Sequence, residues 1–372
     1  MTGPILILGA TGFIATAIAG DLAAAGYDIR PAARDLEYGR RLLPDQPWSF
    51  VNLNRMMSPA DWAGLLDGMA IIINASGLLQ SGGGDDVGAV QEQAVMAMGE
   101  AATAAGVRRI IQISAAGIDG NDSDFMQTKA RADAALLGGA VPALVLRPGL
   151  VIGRNAYGGT QLVRLAAAMP MALLPPISAP IRCIALGDVV AAVRRGVEEA
   201  RLPSTPVDLV AEEALPLSAI IAAHRRWLGF PPWRTVRQLP AWTLRLATTA
   251  SDALGWFGWR SPLRRNAIAA LMNGVDGDSA EARQWLGRAP ATLDQTLAAM
   301  PAGKQDRFTA IAYALLPAAL LALGVMWALS GIATLVDLPR SSAIMAAAGV
   351  SPDVARMLAI AGALADLLLA AL

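Results

Sequence analysis

Cysteine and histidine are almost absent from these 372 residues: there is one of each, Cys183 and His224. A single cysteine cannot close an intrachain disulfide, and one histidine without a cysteine cluster cannot build a zinc site of ordinary ligand spacing. Both are expected to be packing or surface residues. Charge is scarce too. Thirty Lys and Arg balance thirty Asp and Glu, so there is no basic excess to neutralise phosphates, and nucleic-acid binding is disfavoured. The N-terminus also lacks the basic start, apolar core and small-residue cleavage site of a secretory leader, because the apolar run Pro4–Leu8 breaks at once into "GATG". That segment is expected to stay and fold.

What the chain has in abundance is apolar surface. Its hydrophobic content is 55% and its mean hydropathy +0.45, more than a soluble globular enzyme usually carries. Part of that surface is expected to meet lipid. Residues 308–336, "FTAIAYALLPAALLALGVMWALSGIATLV", contain no charged side chain. As a helix they would reach about 43 Å against a hydrocarbon thickness of about 30 Å, which predicts one tilted span with Pro317 at a kink. A second apolar run, 357–372, is interrupted by Asp366, and the sequence is expected to stop partway through a membrane domain. A carboxylate inside such a run is expensive and tends to face a bundle interior or pore. Before the span, Trp242, Trp256, Phe257 and Trp259 alternate with Arg245, Arg260, Arg264 and Arg265. That mixture suits either the lipid headgroup boundary or the core of a small lobe. Lys304 and Arg307 directly before the span agree with a cytoplasmic N-terminal side, whereas Arg340 and Arg356 on its other flank blunt the argument.

The first half of the chain alternates strand and helix signals. Pro4–Leu8, "YDIRPAAR" (27–34), "WSFVNL" (48–53), "AIIIN" (70–74), "RRIIQIS" (108–114) and "PALVLRPG" (142–149) read as strands, separated by helix-like segments such as 13–25, 85–106 and 124–137. This predicts an α/β fold with a doubly wound parallel sheet covered on both faces. Beyond about residue 150 the pattern loosens around proline-rich joints, and a small α-rich lobe is expected. The domain reading is 1–215 for the nucleotide-binding part, 216–303 for the α-rich lobe and 304–372 for the transmembrane segments.

The stretch "GATGFIA" sits between the first strand and the first helix. Gly9 allows the sharp reversal, Gly12 lets backbone approach a pyrophosphate, and Ala15 permits close helix packing, while the helix N-terminus offers N–H groups to the anion. Thr11, Phe13 and Ile14 complete the candidate cradle. At the end of the second strand, "RPAARD" brings Arg30 and Arg34 with no acid until Asp35. An arginine there accommodates a 2′-phosphate, so NADP(H) is favoured, with NAD(H) as the alternative.

The ordered set "GATGFIA", "NASG" (74–77), "IIQISAAG" (110–117), "TKARAD", "LRPGLVIG" (146–153) and "IALGDVVAAV" (184–193) resembles the atypical extended short-chain dehydrogenases, near the NmrA-like and complex I accessory subunit-like groups of the epimerase/dehydratase clan. The C-terminal segment is similar to the start of a DoxX-like membrane domain. The resemblance implies a Rossmann fold. It places Asn74 and Ser76 near a ribose, Lys129 on the nicotinamide ribose hydroxyls, Pro148 beside the carboxamide and Ser114 at the catalytic serine position.

One group that the resemblance implies is missing. Active relatives carry a Tyr four residues before the Lys, on the same helix face, where the ammonium lowers the phenol's pKa. Four residues before Lys129 stands Phe125. Loss of a positioned general acid typically costs about 10²–10⁴ in rate, while nucleotide contacts do not need the hydroxyl. Three readings follow: another donor (Tyr157, Asp122, Asp124 or Ser123), an acceptor such as a quinone or flavin that needs no fixed acid, or a domain that only holds the nucleotide. The favoured expectation is an oxidoreductase tethered to the bacterial inner membrane, its Rossmann domain cytoplasmic, taking a lipophilic or quinone-like acceptor from the bilayer. The alternative is a non-catalytic scaffold or sensor that assembles with membrane-protein partners.

Overall fold

The computed structural model describes residues 3–78, 81, 85–118, 121, 123–175, 177, 179–240, 242, 243, 246, 248, 249 and 274–371. The chain divides into two compact units, Met1–Gly303 and Lys304–Leu372.

In the first unit the strands are β1 (Ile5–Leu8), β2 (Ile29–Ala33), β3 (Ser49–Phe50), β4 (Ile71–Asn74), β5 (Arg109–Ile113), β6 (Ala143–Pro148), β7 (Leu150–Ile152), β8 (Ala172–Leu174), β9 (Ile181–Ala185), β10 (Val207–Leu209), β11 (Ala214–Leu215) and β12 (Val236–Gln238). The helices are α1 (Phe13–Ala24), α2 (Leu36–Leu42), α3 (Ala63–Leu66), α4 (Ala94–Ala104), α5 (Asp124–Leu137), α6 (Gly159–Ala168), α7 (Leu186–Glu198), α8 (Leu217–Trp227), α9 (Ser279–Leu286) and α10 (Leu293–Ala299). Seven strands form one parallel sheet in the order β10-β6-β5-β4-β1-β2-β3. This is the doubly wound order 3-2-1-4-5-6 with β10 added beyond β6.

The short apolar runs fold this way because both faces of each strand find a helix. Successive side chains alternate across a strand, so Ile5, Ile7, Ile71, Ile73, Ile111 and Ile113 enter one core with α1, α7 and α9. Leu6, Leu8, Ile72 and Ile110 enter the other with α4 and α5. An alternating apolar-polar pattern would have left one face wet; unbroken apolar runs are the mark of a strand buried on both sides.

The described residues of 150–303 hold the helices α6 to α10 and, beside them, short strands that the sequence did not reveal. They contain a three-stranded sheet, β11-β9-β7, and a two-stranded pair, β12-β8. These strands are two to five residues long and lie among prolines, too short to show a period in the sequence. Nor do residues 216–303 form a unit of their own: Ala282 and Trp285 of α9 lie in the α1–α7 core, and Trp285 Nε1 donates to Ala192 O at 3.1 Å. Trp227 and Trp233 likewise donate to the carbonyls of Met300 (2.8 Å) and Met169 (2.9 Å). Trp242 is 64% exposed. Trp256, Phe257, Trp259 and the arginines Arg245, Arg260, Arg264 and Arg265 lie outside the described residues. Cys183 and His224 are both buried packing residues. Burial pushes the Cys183 thiol up to about 12 and the His224 imidazole down to about 4, and His224 Nδ1 sits 2.9 Å from the Ile220 carbonyl oxygen.

The second unit consists of α11 (Lys304–Val336), α12 (Leu338–Ala347) and α13 (Pro352–Ala371). By length and composition α11 and α13 are both long and apolar enough to cross a membrane, with mean hydropathies of 2.1 and 1.9. They pack antiparallel. A Cβ on Gly331 would come within 2.8 Å of the Ala363 carbonyl oxygen, and one on Gly324 would lie 3.6 Å from that of Ala370. Ala355, Ala359 and Ala363 form the buried stripe of α13, small side chains that let the two backbones approach. Asp366 lies at this contact, where Ser330 Oγ donates to its Oδ2 at 2.7 Å. Elsewhere the unit presents large apolar side chains outward, among them Leu316, Leu320, Leu321, Leu329, Leu364 and Leu368.

Gly149 joins β6 to β7 where no side chain fits: a Cβ would overlap the Arg182 carbonyl oxygen and press on Val210 Cγ1 at 3.1 Å. Gly149→Ala is expected to cost about 1–3 kcal/mol, the range for overpacking, read as a lower denaturation midpoint at unchanged slope. Acid should also destabilise through His224. The unfolded chain takes up a proton near pH 6.5 that the folded chain refuses until about 4. Stability is therefore lost as pH falls across that window, and the His224→Gln variant should show a smaller loss.

Candidate functional site

The carboxyl ends of β1, β4, β5 and β6 converge on one region. Gly9, directly after β1, has φ +71, and a Cβ there would lie 3.0 Å from Ser76 Cα and 3.1 Å from Ser76 N. Glycine is required on both counts: the left-handed backbone and the contact with the chain leaving β4. The turn closes with Gly12 N donating to Gly9 O at 2.8 Å, and a Cβ on Gly12 would meet that same oxygen at 3.0 Å. Gly12 is the N-cap of α1 and supplies no side-chain cap. The first-turn amides of Phe13, Ile14 and Ala15 therefore point from the helix end as donors with a positive dipole behind them. Thr11 and Gly12 are the outer residues of the turn, and Phe13 packs where a Gly153 side chain would otherwise stand, 3.0 Å from that position.

Asn74, the last residue of β4, is buried. Its Nδ2 donates to Gln112 Oε1 at 2.8 Å, and its Oδ1 accepts from Ser76 N at 3.2 Å and from the Ser76 hydroxyl. The pair fixes the path of residues 75–77 beside the glycine turn. Pro148 ends β6, buried, with its carbonyl accepting from Ala116 N at 2.9 Å.

On α5, Lys129 is buried with Nζ 3.2 Å from the Ile113 carbonyl and 5.7 Å from the centre of the Phe125 ring. A Cβ on Gly77 would lie 3.8 Å from Nζ, and equally far from Gln91 Oε1, a buried acceptor with no partner among the described residues. Burial brings the Lys129 ammonium down to about 8, against a smaller opposing pull from Asp133. Ser114 is buried, and its Oγ donates to Asp133 Oδ2 at 2.7 Å, which also accepts from Arg147 Nε at 3.2 Å. Burial pushes the Asp133 carboxyl above its ordinary value despite these donors. Asp133 and Arg147 are the polar residues that sequence reasoning missed. The Lys129–Asp133 spacing of one helical turn was the available signal, but a charged pair of that spacing is ordinarily solvated.

Three of the four alternative donors are described. Ser123 is the N-cap of α5, its Oγ accepting from Met126 N at 3.4 Å. Asp124 is exposed in the first turn of α5, and Tyr157 is 67% exposed beside α6. Asp122 lies outside the described residues. Among the described residues no group of three or more His, Cys, Asp and Glu side chains could hold a metal ion.

Arg34 follows β2 directly, its guanidinium paired with the Asp85 carboxylate. Arg30 lies at the opposite end of β2, paired with Asp28 at 2.5 Å, so of the two arginines Arg34 alone stands at the carboxyl end of the strand. Asp35 is turned away to cap α2, accepting from Tyr38 N at 2.8 Å.

These features fit a dinucleotide: a glycine cradle that any Cβ would fill, an uncapped helix N-terminus for pyrophosphate, and a polar residue at the end of β2. Residues 9–164 match the family model described as NAD(P)H-binding. The fold is an α/β Rossmann-like parallel sheet, shared with the solved structures that follow. Among solved structures, WbmG of Bordetella bronchiseptica in complex with NAD superposes with a TM-score of 0.59 at 16% identity, over 80% of this chain and 92% of that one. The NADPH-dependent quinone oxidoreductase QOR2 of Escherichia coli, complexed with NADPH, gives 0.60 at 19% identity, over 80% and 99%. A nucleoside-diphosphate-sugar epimerase of Staphylococcus aureus gives 0.60 at 17% identity, over 79% and 99%. No curated protein matches the chain in sequence.

Keeping Lys129 charged and buried costs stability. Its folded value of about 8 lies below the 10.5 of an exposed lysine. Between those pH values the unfolded chain holds a proton that the folded chain has released, so unfolding becomes harder as pH rises through the window. Lys129→Met should remove that rise and stabilise the protein at pH 7 by up to about 3 kcal/mol. Comparing denaturation midpoints of the two proteins at pH 7 and pH 10 reads both effects.

Proposed function

We propose that this chain is a membrane-tethered, NAD(P)H-dependent oxidoreductase acting on a lipophilic, quinone-like acceptor. The observation that carries the reading is the conjunction on α5: Lys129 is retained at the site while Phe125 supplies a ring with no proton to give. A carbonyl substrate of ordinary short-chain dehydrogenases needs a positioned acid; a quinone, whose reduced oxygens take protons from water, does not. When bound, the dinucleotide would supply a hydride. Gly9, Thr11, Gly12, Phe13 and Ile14 would hold its pyrophosphate, Asn74 and Ser76 would border the ribose side, Arg34 would stand at the adenosine ribose, and Pro148 would adjoin the carboxamide. Lys129 would hold the nicotinamide ribose hydroxyls, with Ser114 nearby as a positioning group through Asp133. The apolar surface of α11 and α13 supports tethering, which suits a substrate concentrated in the bilayer and scarce in water. The cytoplasmic side is where the dinucleotide pool lies.

A second reading is supported by the same helix. With Phe125 in place of a phenol and Ser114 committed to Asp133, the unit would hold nucleotide without turning it over, as a scaffold or sensor for a membrane partner.

Full-length protein in lipid discs, given NADPH and a short-chain quinone, should consume the near-ultraviolet absorbance of the dihydronicotinamide well above the protein-free rate, and it should float with vesicles rather than remain in the soluble fraction. Stoichiometric coenzyme uptake with no oxidation by any acceptor, combined with carbonyl reductase activity in Phe125→Tyr, would favour the scaffold.

A further inference from the structure

The end of β2 carries a device that the sequence order hides. Asp35, the first acid after Arg34, is occupied in capping α2. The carboxylate in contact with Arg34 comes instead from Asp85, fifty-one residues along, on the far side of β4. Its side chain is 4% exposed whereas that of Arg34 is 45% exposed. Asp85 is held in place independently of the arginine: Asn54 Nδ2 donates to Asp85 Oδ1 at 2.8 Å, and Asn54 Oδ1 accepts from Asp86 N at 3.0 Å. Asn54 is itself fixed by its backbone amide, which donates to Asn52 Oδ1 at 3.3 Å. The result is a buried, preformed acid beneath a half-exposed guanidinium.

In a doubly wound sheet this position distinguishes the two nicotinamide dinucleotides, because the adenosine ribose lies at the end of the second strand. A 2′-phosphate brings close to two negative charges, and its attraction to Arg34 is opposed by a carboxylate that cannot move away. A 2′-hydroxyl brings no charge and can donate a hydrogen bond to an acid, as it does in sites selective for NAD.

Resting on the reading of the glycine cradle as a dinucleotide site, we propose that Asp85 is the coenzyme-selecting residue of this chain, a counter-charge to Arg34 that lets the site take NAD(H) at least as well as NADP(H). The arginine alone would predict the phosphorylated coenzyme; the pair does not.

The test is calorimetric titration of the full chain in lipid discs with NADH and with NADPH, for wild type, Asp85→Asn and Arg34→Gln, at two salt concentrations. Wild type should bind the two coenzymes with similar affinity, and the ratio of the two affinities should hardly respond to salt. Asp85→Asn keeps a partner for Asn54 and should favour NADPH over NADH by about tenfold or more relative to wild type, with that preference weakening at high salt. Arg34→Gln should depress NADPH binding by a similar factor and spare NADH. A ratio unchanged in Asp85→Asn would overturn the proposal. So would a wild-type preference for NADPH of about a hundredfold that falls steeply with salt, a result that needs no variant to fold. If wild type takes up neither coenzyme, the cradle reading fails and the selector fails with it; uptake of both with no effect of Asp85 sinks the selector alone.

Discussion

The site depends on one close approach, that of Gly9 to the backbone of Ser76. With 3.0 Å between Ser76 Cα and the place a Cβ would occupy, and with φ at +71, a side chain at position 9 would displace the chain that leaves β4. Because the turn is this tight, α1 starts immediately at the end of the central strand. Its uncapped amides then meet the carboxyl edge of the sheet rather than solvent beyond it. The Asn74–Gln112 pair and the Ser76 contacts to Asn74 serve the same end from the other side, fixing the chain that the glycine touches. Under the proposed function, anion binding here rests on backbone geometry and needs no side chain from α5.

A buried polar layer formed by α5, β6 and the end of β5 complements that cradle. Ser114, Lys129, Asp133 and Arg147 bring one hydroxyl, one carboxylate and two cations into the interior, where each is costly alone and tolerable together. A protein selected only for stability would have little reason to keep Lys129 buried beside a phenylalanine. Under the proposed function the ammonium serves the coenzyme, and Gln91 Oε1, a buried acceptor with no partner among the described residues, lies by the same space.

Much of this fold was legible because short, largely apolar runs alternate with helix-like segments. Pro4–Leu8, 70–74 and 108–114 read as strands of a sheet covered on both faces, and the order of strand, glycine turn and helix followed. What was not legible was long-range. β10 is three residues, too short to show a period, yet it extends the sheet, and Trp285 fills the core from the far end of its unit. The partner of Arg34 was hidden for the same reason. The nearest acid in sequence, Asp35, caps α2, and folding brings Asp85 to Arg34. Likewise nothing in "TKARAD" tells which of its charges is buried; the packing of α5 on β5 and β6 decides that.

The central claim is that the first-turn amides of α1 receive the coenzyme's pyrophosphate. Residue-resolved hydrogen exchange on the full chain, with and without saturating NADH, addresses it without reference to turnover. The account predicts that Phe13, Ile14 and Ala15 exchange markedly more slowly once the coenzyme is bound, while α2 and α8 change little. Bound coenzyme that leaves those three amides exchanging as before would contradict it.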